Sequence, residues 1–371
     1  MESLRSWAVI LPRLLRYVFV YRLFRIGACP TIMDCRPECM RCLLDLFHWD
    51  RKVRLVDAEQ CPRKGPAVFV ANHIKRDDPF VEWQAIQVAS NGGILPRIMM
   101  RDDFFGNIAF LKSRLLDGNE LTAMLGSLHI SRGRVGLSQI IPFIKVLCEE
   151  DSFLMYPSGT RSRSGLFVEY RDGFEEPGAV SLFVAQAQRR RPDLEVAVVP
   201  MTRTYNPVTG KSALIFCAPQ SLPHGADRTA QRAFDANLVR MMAERVEINV
   251  AQVVSGLLYV HSLRHKSTAL DVSALCAVAA KVFAALKGRD IDPAAENDLD
   301  NEVRQTLRFL AKKGVLKRKG RQVELDAGVV LGAPAPDLHY ADANPIKHLV
   351  NQVIHLADVT EALHDAARHM A

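Results

Sequence analysis

The stretch Ala67-Val68-Phe69-Val70-Ala71-Asn72-His73-Ile74-Lys75-Arg76-Asp77-Asp78-Pro79 decides how this chain is read. Its first five residues are apolar, and Val68, Phe69 and Val70 favour extended backbone. Such a run is the length of a strand covered on both faces. It stops at Asn72, and Pro79 suits the first turn of a helix. Strand, polar loop and helix make the repeating unit of an α/β sheet. Similar apolar runs recur at Phe153–Tyr156, Val196–Pro200 and Ala213–Cys217, with helical patterns at Leu137–Cys148 and Ala179–Gln188. The expectation is a mixed, mostly parallel sheet flanked by helices over residues 51–254. Ligands of such sheets gather beyond the C-terminal ends of strands. The polar residues after Ala71 and after Tyr156 stand at those ends.

The first loop places His73 five positions before Asp78. Between a strand and a helix, Asp78 can accept a hydrogen bond from one imidazole nitrogen. That fixes the tautomer and leaves the other nitrogen as a general base. The plainer alternative is a helix-capping Asp beside an unrelated surface His. The second loop, Pro157-Ser158-Gly159-Thr160-Arg161-Ser162-Arg163-Ser164-Gly165, carries two guanidinium groups, hydroxyls and glycines. Arginine binds phosphate bidentately, and exposed backbone N–H groups cradle the same anion. Read alone, the segment could equally be a solvated loop. A third element, Leu125-Gly126-Ser127-Leu128-His129-Ile130-Ser131, leads to Arg132, with Arg134 two residues on.

In this order these elements resemble the glycerolipid acyltransferase family with the N-H-x-x-x-x-D signature, which includes lysophosphatidic acid and glycerol-3-phosphate acyltransferases. Asn72, His73 and Asp78 match the first block. The second block ends in a phosphate-binding arginine, matched by Arg132 with Gly126 upstream. The third usually reads F-P-E-G-T-R-S-x-x-G, and Tyr156–Gly165 follows it with Ser158 at the Glu position. Some plastid-type glycerol-3-phosphate acyltransferases are similar there, with Pro-Ser-Gly. The fourth block is an apolar strand ending in proline, matched by Val198-Val199-Pro200. The resemblance spans roughly Val53 to Pro223.

The resemblance implies an O-acyltransferase of phospholipid biosynthesis. His73, held by Asp78, would take the proton from the acceptor hydroxyl. The oxygen would attack an acyl thioester of coenzyme A or acyl carrier protein, with backbone N–H groups stabilising the oxyanion. Arg132, Ser158, Gly159, Thr160, Arg161 and Arg163 would hold the acceptor phosphate, and Asn72, Pro157 and Pro200 would support the motifs. The expected acceptor is 1-acyl-glycerol 3-phosphate, with glycerol 3-phosphate or another lysolipid as alternatives. No metal or other cofactor is expected. A rival from another class is a serine hydrolase using Ser158 with His73 and Asp78, although Ser158 lacks the G-x-S-x-G elbow.

A chain of 371 residues suggests two or three units. The expected division is 1–50, 51–254 and 255–371. The net charge of +7 suits an anionic partner. Near the N-terminus, Leu4, Trp7, Leu11, Leu14, Leu15 and Val18 share one helical face, with Arg5, Arg13 and Arg16 opposite. A basic amphipathic helix of this kind, kinked at Pro12, suits a membrane surface with acidic lipids; packing on the protein's own core is the alternative. No run of eighteen uncharged apolar residues occurs, so no membrane-spanning helix is expected. The expected location is the cytoplasmic face of a membrane, peripheral or monotopic. Ile26-Gly27-Ala28-Cys29 loosely matches a lipoprotein cleavage site, but Arg22 and Arg25 interrupt the apolar stretch that it needs.

Eight cysteines in a chain of this length are not a disulfide framework. Cys35, Cys39 and Cys42 have the spacing of a radical-enzyme iron–sulfur site. Such a triad belongs after the first strand of a barrel, and here it precedes the apolar run Leu43–Phe47, so structural thiols are expected. Toward the C-terminus, Val272–Lys287 and Asn301–Lys313 read as helices and Gly314–Asp326 as a hairpin. Helix, helix and hairpin outline a winged helix, with Lys317-Arg318-Lys319-Gly320-Arg321 as its wing. Asn301–Lys313 is not rich in base-reading residues, so a nucleic-acid-binding regulator remains the rival and nucleic acid is not the expected partner. A last helix is expected over about Ile346–Met370.

Overall fold

The computed structural model describes residues 2–27, 53–101, 118, 122–123, 126–130, 137–169, 180–265, 267–335 and 338–370. Arg132, Arg134, Cys29, Cys35, Cys39 and Cys42 lie outside the described residues.

Strands β1 (Val53–Val56), β2 (Ala67–Ala71), β3 (Arg97–Arg101), β4 (Leu128–Ile130), β5 (Phe153–Met155), β6 (Ala197–Tyr205) and β7 (Ser212–Phe216) form one sheet. Their order is β1-β7-β6-β2-β5-β3-β4, and every pair is parallel except β6 with β7. This is the mixed, mostly parallel α/β sheet that the apolar runs predict. Side chains alternate across it. Val68 and Val70 join Phe153, Met155 and Val198 in one buried cluster, while Ala67, Phe69 and Ala71 join Leu154, Val199 and Met201 in another. Helix α2 (Asp78–Ala89) packs Ala85 and Ile86 into the second cluster. Helices α3 (Leu137–Cys148) and α4 (Val180–Arg190) bring Phe143 and Phe183 to Phe153 in the first, with ring centroids 5.3 to 5.7 Å apart.

One expected boundary fails with consequence. The third apolar run, Val196–Pro200, is expected to end at its proline, which cannot donate to a ladder. The strand instead continues to Tyr205. The Pro200 carbonyl still accepts from Cys217 N at 2.9 Å, and antiparallel pairing with β7 runs on through Arg203 and Tyr205.

Helix α5 (Arg228–Glu244) leads into α6 (Val250–Arg264), whose side chains are almost all buried. Helix α6 straddles position 254, where the C-terminal unit was expected to begin. A single apolar cluster runs from Val68 on the sheet to Met370. Beyond α6 come β8 (Ser267–Asp271), α7 (Val272–Ala285), α8 (Pro293–Asn297), α9 (Leu299–Lys312), β9 (Leu316–Lys319) and β10 (Gln322–Asp326). The three strands form an antiparallel sheet in the order β8-β10-β9. Thus the helix–helix–hairpin outline is present, with β8 added as a third strand. The helix α10 (Ala327–Leu331) follows.

After α11 (Tyr340–Ala343), the expected last helix is two pieces, α12 (Pro345–Asn351) and α13 (Ala357–Ala367). The break lets Val353 and Leu356 turn inward to the core.

Helix α1 (Glu2–Arg25) contains Pro12 and continues beyond it. Val18 is buried, whereas Arg13, Arg16 and Phe19 are exposed, so the described part has one covered face and one basic open face. No helix among the described residues is long and apolar enough to cross a membrane.

Candidate active site

Strands β6, β2 and β5 are adjacent and parallel, so their C-terminal ends lie on one edge of the sheet. There the chain leaves β2 at Asn72 and enters α2 at Asp78. The His73 Nδ1 and Asp78 Oδ2 are 2.8 Å apart. The same oxygen accepts from the backbone N–H of Ile74 at 2.6 Å and of Lys75 at 2.7 Å. A carboxylate can only accept, so His73 donates from Nδ1–H and carries its lone pair on Nε2. Asp78 is fully buried, while the His73 side chain keeps 15% of its surface open. No hydrogen bond engages Nε2 among the described residues.

The other Asp78 oxygen meets a group that the motifs do not contain. Arg203, three residues beyond Pro200 on β6, donates from Nη1 to Asp78 Oδ1 at 2.6 Å and to Asp77 Oδ1 at 3.1 Å. Its other nitrogens contact the Ser212 hydroxyl. Asn72 fixes the register of this Arg: its Nδ2 donates to the Arg203 carbonyl at 2.9 Å, and its Oδ1 accepts from Arg203 N at 2.8 Å. Asn72 therefore works at the joint between β2 and β6. Burial alone would raise the Asp78 pKa. The Arg203 charge and the His73 hydrogen bond outweigh it and hold this carboxyl below the usual range.

A second buried network lies behind the imidazole. Tyr156, the first residue after β5, stacks on His73 with centroids 4.3 Å apart. Its hydroxyl donates to Glu82 Oε2 at 2.8 Å. Glu82 stands one helical turn after Asp78 and is fully buried. Burial, followed by the Asp78 charge, pushes its carboxyl well above the ordinary value. Burial and the same carboxyls keep Tyr156 protonated. The imidazole is thus clamped edge-on by Asp78 and flatwise by Tyr156.

The second loop is bound to the first. Ser162 N donates to the His73 carbonyl at 2.8 Å. Gly159 adopts φ +62°, in the left-handed region that favours glycine. Glu169 Oε2 gathers the N–H groups of Arg163 and Ser164, each at 2.8 Å, and the Ser164 hydroxyl at 2.8 Å. Pro157 is buried, whereas Ser158, Thr160, Arg161 and Arg163 are partly open. The Ser158 hydroxyl donates to the Thr160 carbonyl at 2.7 Å. It is engaged within the loop, and no hydrogen bond joins it to His73 among the described residues. The hydrolase alternative thus lacks its nucleophile–base contact.

Arg161 Nη2 donates to His339 Nε2 at 2.8 Å. Burial, then the charges of Arg76 and Arg163, makes the Arg161 cation less favourable than usual. Arg76, Arg161 and Arg163 therefore lie within electrostatic reach of one another, a field that an anion would relieve.

The structure brings Asn72, His73, Asp78, Ser158, Gly159, Thr160, Arg161 and Arg163 to one edge of the sheet. Pro200 lies within β6, before Arg203. Gly126, at φ +76°, precedes β4, and Arg132 is outside the described residues. Arg203, Glu82, Tyr156 and His339 were not among the expected site residues. For Arg203 the one available signal was its place two residues before the aromatic end of an apolar strand.

Residues 52–203 match the family model described as Acyltransferase. That span contains all four blocks and ends at Arg203. No curated protein matches the chain in sequence. Among solved structures, the 1-acyl-sn-glycerophosphate (LPA) acyltransferase PlsC from Thermotoga maritima is similar over 65% of this chain and 96% of that one, at 15% identity and a TM-score of 0.37.

Proposed function

We propose that this chain, whose residues 52–203 match the Acyltransferase family model, moves a fatty acyl group from a thioester to the hydroxyl of a phosphorylated glycerol acceptor. The observation that carries this reading is the His73–Asp78 pair at 2.8 Å, with Nε2 unengaged among the described residues and the adjoining loop rich in guanidinium groups. Nε2 takes the acceptor proton as the acceptor oxygen bonds to the acyl carbon. The imidazolium so formed is stabilised by Asp78, whose charge Arg203 maintains. Collapse of the tetrahedral intermediate breaks the carbon–sulfur bond, and the proton on Nε2 returns to the leaving thiolate. No covalent enzyme intermediate is needed.

Arg161, Arg163 and Arg132, with the backbone N–H groups of Ser158 and Thr160 and the Thr160 hydroxyl on the turn that Gly159 makes, bind the acceptor phosphate. The thioester is acyl-coenzyme A or acyl carrier protein. The acceptor is 1-acyl-glycerol 3-phosphate, which places the reaction in phospholipid biosynthesis at the cytoplasmic face of a membrane. The open basic face of α1 would meet acidic lipid there. Ser158 supports a second reading of the same site, with glycerol 3-phosphate as acceptor, because a hydroxyl replaces the carboxylate usual at this position.

The test incubates purified protein with a labelled acyl thioester and a mixture of glycerol 3-phosphate, 1-acyl-glycerol 3-phosphate and 1-acyl-glycerophosphocholine, then resolves the lipids. Label in a phosphate monoester product supports the reading. Label only in the choline lipid, or thioester hydrolysis without transfer, contradicts it.

A further inference from the structure

The C-terminal unit reaches the phosphate loop at four adjacent points. Tyr340 N donates to the Arg163 carbonyl at 2.9 Å, and Asn351 Nδ2 donates to the Ser164 carbonyl at 2.9 Å. Gly165, at φ +91°, lies so close to the His348 carbonyl that a Cβ there would sit 2.2 Å from its oxygen. The fourth contact is His339 Nε2, which accepts from Arg161 at 2.8 Å. Residues 339–351 thus pack along the loop that carries Arg161.

The Arg161–His339 contact is chemically unusual. Arginines beside a site generally pair with carboxylates, whose charge matches their own. Arg161 has no carboxylate partner among the described residues, and its guanidinium rests on a neutral imidazole nitrogen. Such a contact satisfies the Arg donor without neutralising it. An arriving phosphate dianion is a better acceptor for Arg161 and releases His339 Nε2. The freed nitrogen then faces an anion and can be protonated.

We propose that His339 is a binding residue for the acceptor phosphate: it accepts from Arg161 in the free protein, and on arrival of a phosphate monoester it takes a proton from solvent and donates it in a hydrogen bond to the anion. This rests on the phosphorylated-acceptor reading above. The groups facing His339 are Arg161, Arg163 and Arg76, which oppose its protonation, and Asp342, which favours it. Burial and these cations hold the free imidazole below its ordinary value. A bound dianion offsets most of the field of these three cations, so proton uptake follows binding. The C-terminal unit thereby becomes part of acceptor recognition.

The test uses full-length wild type, His339→Gln and His339→Ala. Gln retains an acceptor for Arg161 but cannot titrate. The probes are sn-glycerol 3-phosphate and soluble 1-hexanoyl-glycerol 3-phosphate. Binding is measured by calorimetry from pH 7 to 8.5, where a phosphate monoester with a second pKa of about 6 is already dianionic. Buffers of differing ionisation enthalpy count the protons taken up. Wild type should take up protons and bind more weakly as pH rises, and His339→Gln should do neither. His339→Ala should raise the acceptor KM about ten- to hundredfold, with kcat and the thioester KM changed far less.

Equal proton uptake and equal acceptor KM in wild type and His339→Gln would overturn the inference while leaving acyl transfer intact. If wild type neither binds nor acylates either probe, the phosphorylated-acceptor reading itself fails. A His339→Ala that loses kcat and KM together, with His339→Gln behaving as wild type at every pH, would assign His339 a structural role only.

Discussion

Arg203 Nη1 lies 2.6 Å from Asp78 Oδ1, on the side of the carboxylate opposite to the oxygen that holds His73. Both residues are almost wholly removed from solvent. Taking away one partner of a buried pair leaves an uncompensated charge and typically costs about 3–5 kcal/mol. Arg203→Met should lose stability of that order in denaturant titrations. Without the cation the Asp78 pKa rises, so the carboxylate is lost at a higher pH as the solution is acidified. The acid limb of kcat/KM should therefore move to higher pH, with partial recovery of rate in alkaline buffer. An unmoved limb in a folded Arg203→Met would mean that Arg203 acts on the fold and not on Asp78.

Glu82 predicts the opposite pH behaviour. Its carboxyl is raised by burial and then by the Asp78 charge, so the folded protein keeps a proton that the unfolded chain releases above about pH 4.3. Stability from this group is present at low pH and is lost as pH rises toward the folded value. Glu82→Gln removes the titration and leaves an oxygen for the Tyr156 hydroxyl. Relative to wild type, its melting temperature should improve steadily from pH 5 to pH 8. A pH-independent difference would show that Glu82 is ionised in the folded state.

Ser158 is engaged with the Thr160 carbonyl at 2.7 Å, a bond worth about 0.5–1.5 kcal/mol. Ser158→Ala should keep most of the transfer rate, and wild type should resist serine-directed fluorophosphonate. Ser158→Glu places a carboxylate in the same loop as Arg161, where it would compete with the acceptor phosphate. It should change the ranking of acceptors and leave thioester use nearly unchanged. An inactive Ser158→Ala together with fluorophosphonate labelling of wild type would restore the hydrolase reading.

Arg13, Arg16 and Phe19 form the open face of α1, while Val18 is packed inward. Flotation with vesicles rich in acidic lipid should weaken when Arg13 and Arg16 are both changed to Gln. It should also weaken as salt rises, since the attraction is screened. Salt-independent binding unaffected by the double substitution would remove these arginines from membrane contact.

Four of the seven strands were legible because they contain continuous apolar runs, and Ala67–Ala71 was located to the residue, whereas β1, β3 and β4 were hidden by Arg54, by Arg97 and Arg101, and by His129. His73 and Asp78 were legible because a short loop between strand and helix can place them only close together. Arg203 was hidden by a rule that is sound on average. Proline is rare inside a central strand, and the polar residues Thr202, Arg203 and Thr204 beyond Pro200 break the apolar run although the strand continues to Tyr205 and brings Arg203 to Asp78. Tyr156 and Glu82 were hidden because stacking and i to i+4 burial depend on the third dimension. His339 was beyond reach for another reason: it lies 178 positions from Arg161, and no local pattern links them. The break in the tail near Leu356 was missed because helical periodicity continues across it.

The central claim is that His73 draws the acceptor proton. Wild type and His73→Ala, matched in circular dichroism and in acceptor binding, are given palmitoyl-coenzyme A and 1-acyl-glycerol 3-phosphate, and acylated product is measured together with released thiol. Wild type should form product and thiol in equal amounts, and His73→Ala should be slower by about 10²–10⁴-fold, the usual worth of a general base. A folded His73→Ala that transfers within roughly threefold of wild type, well below that general-base range, would contradict the account.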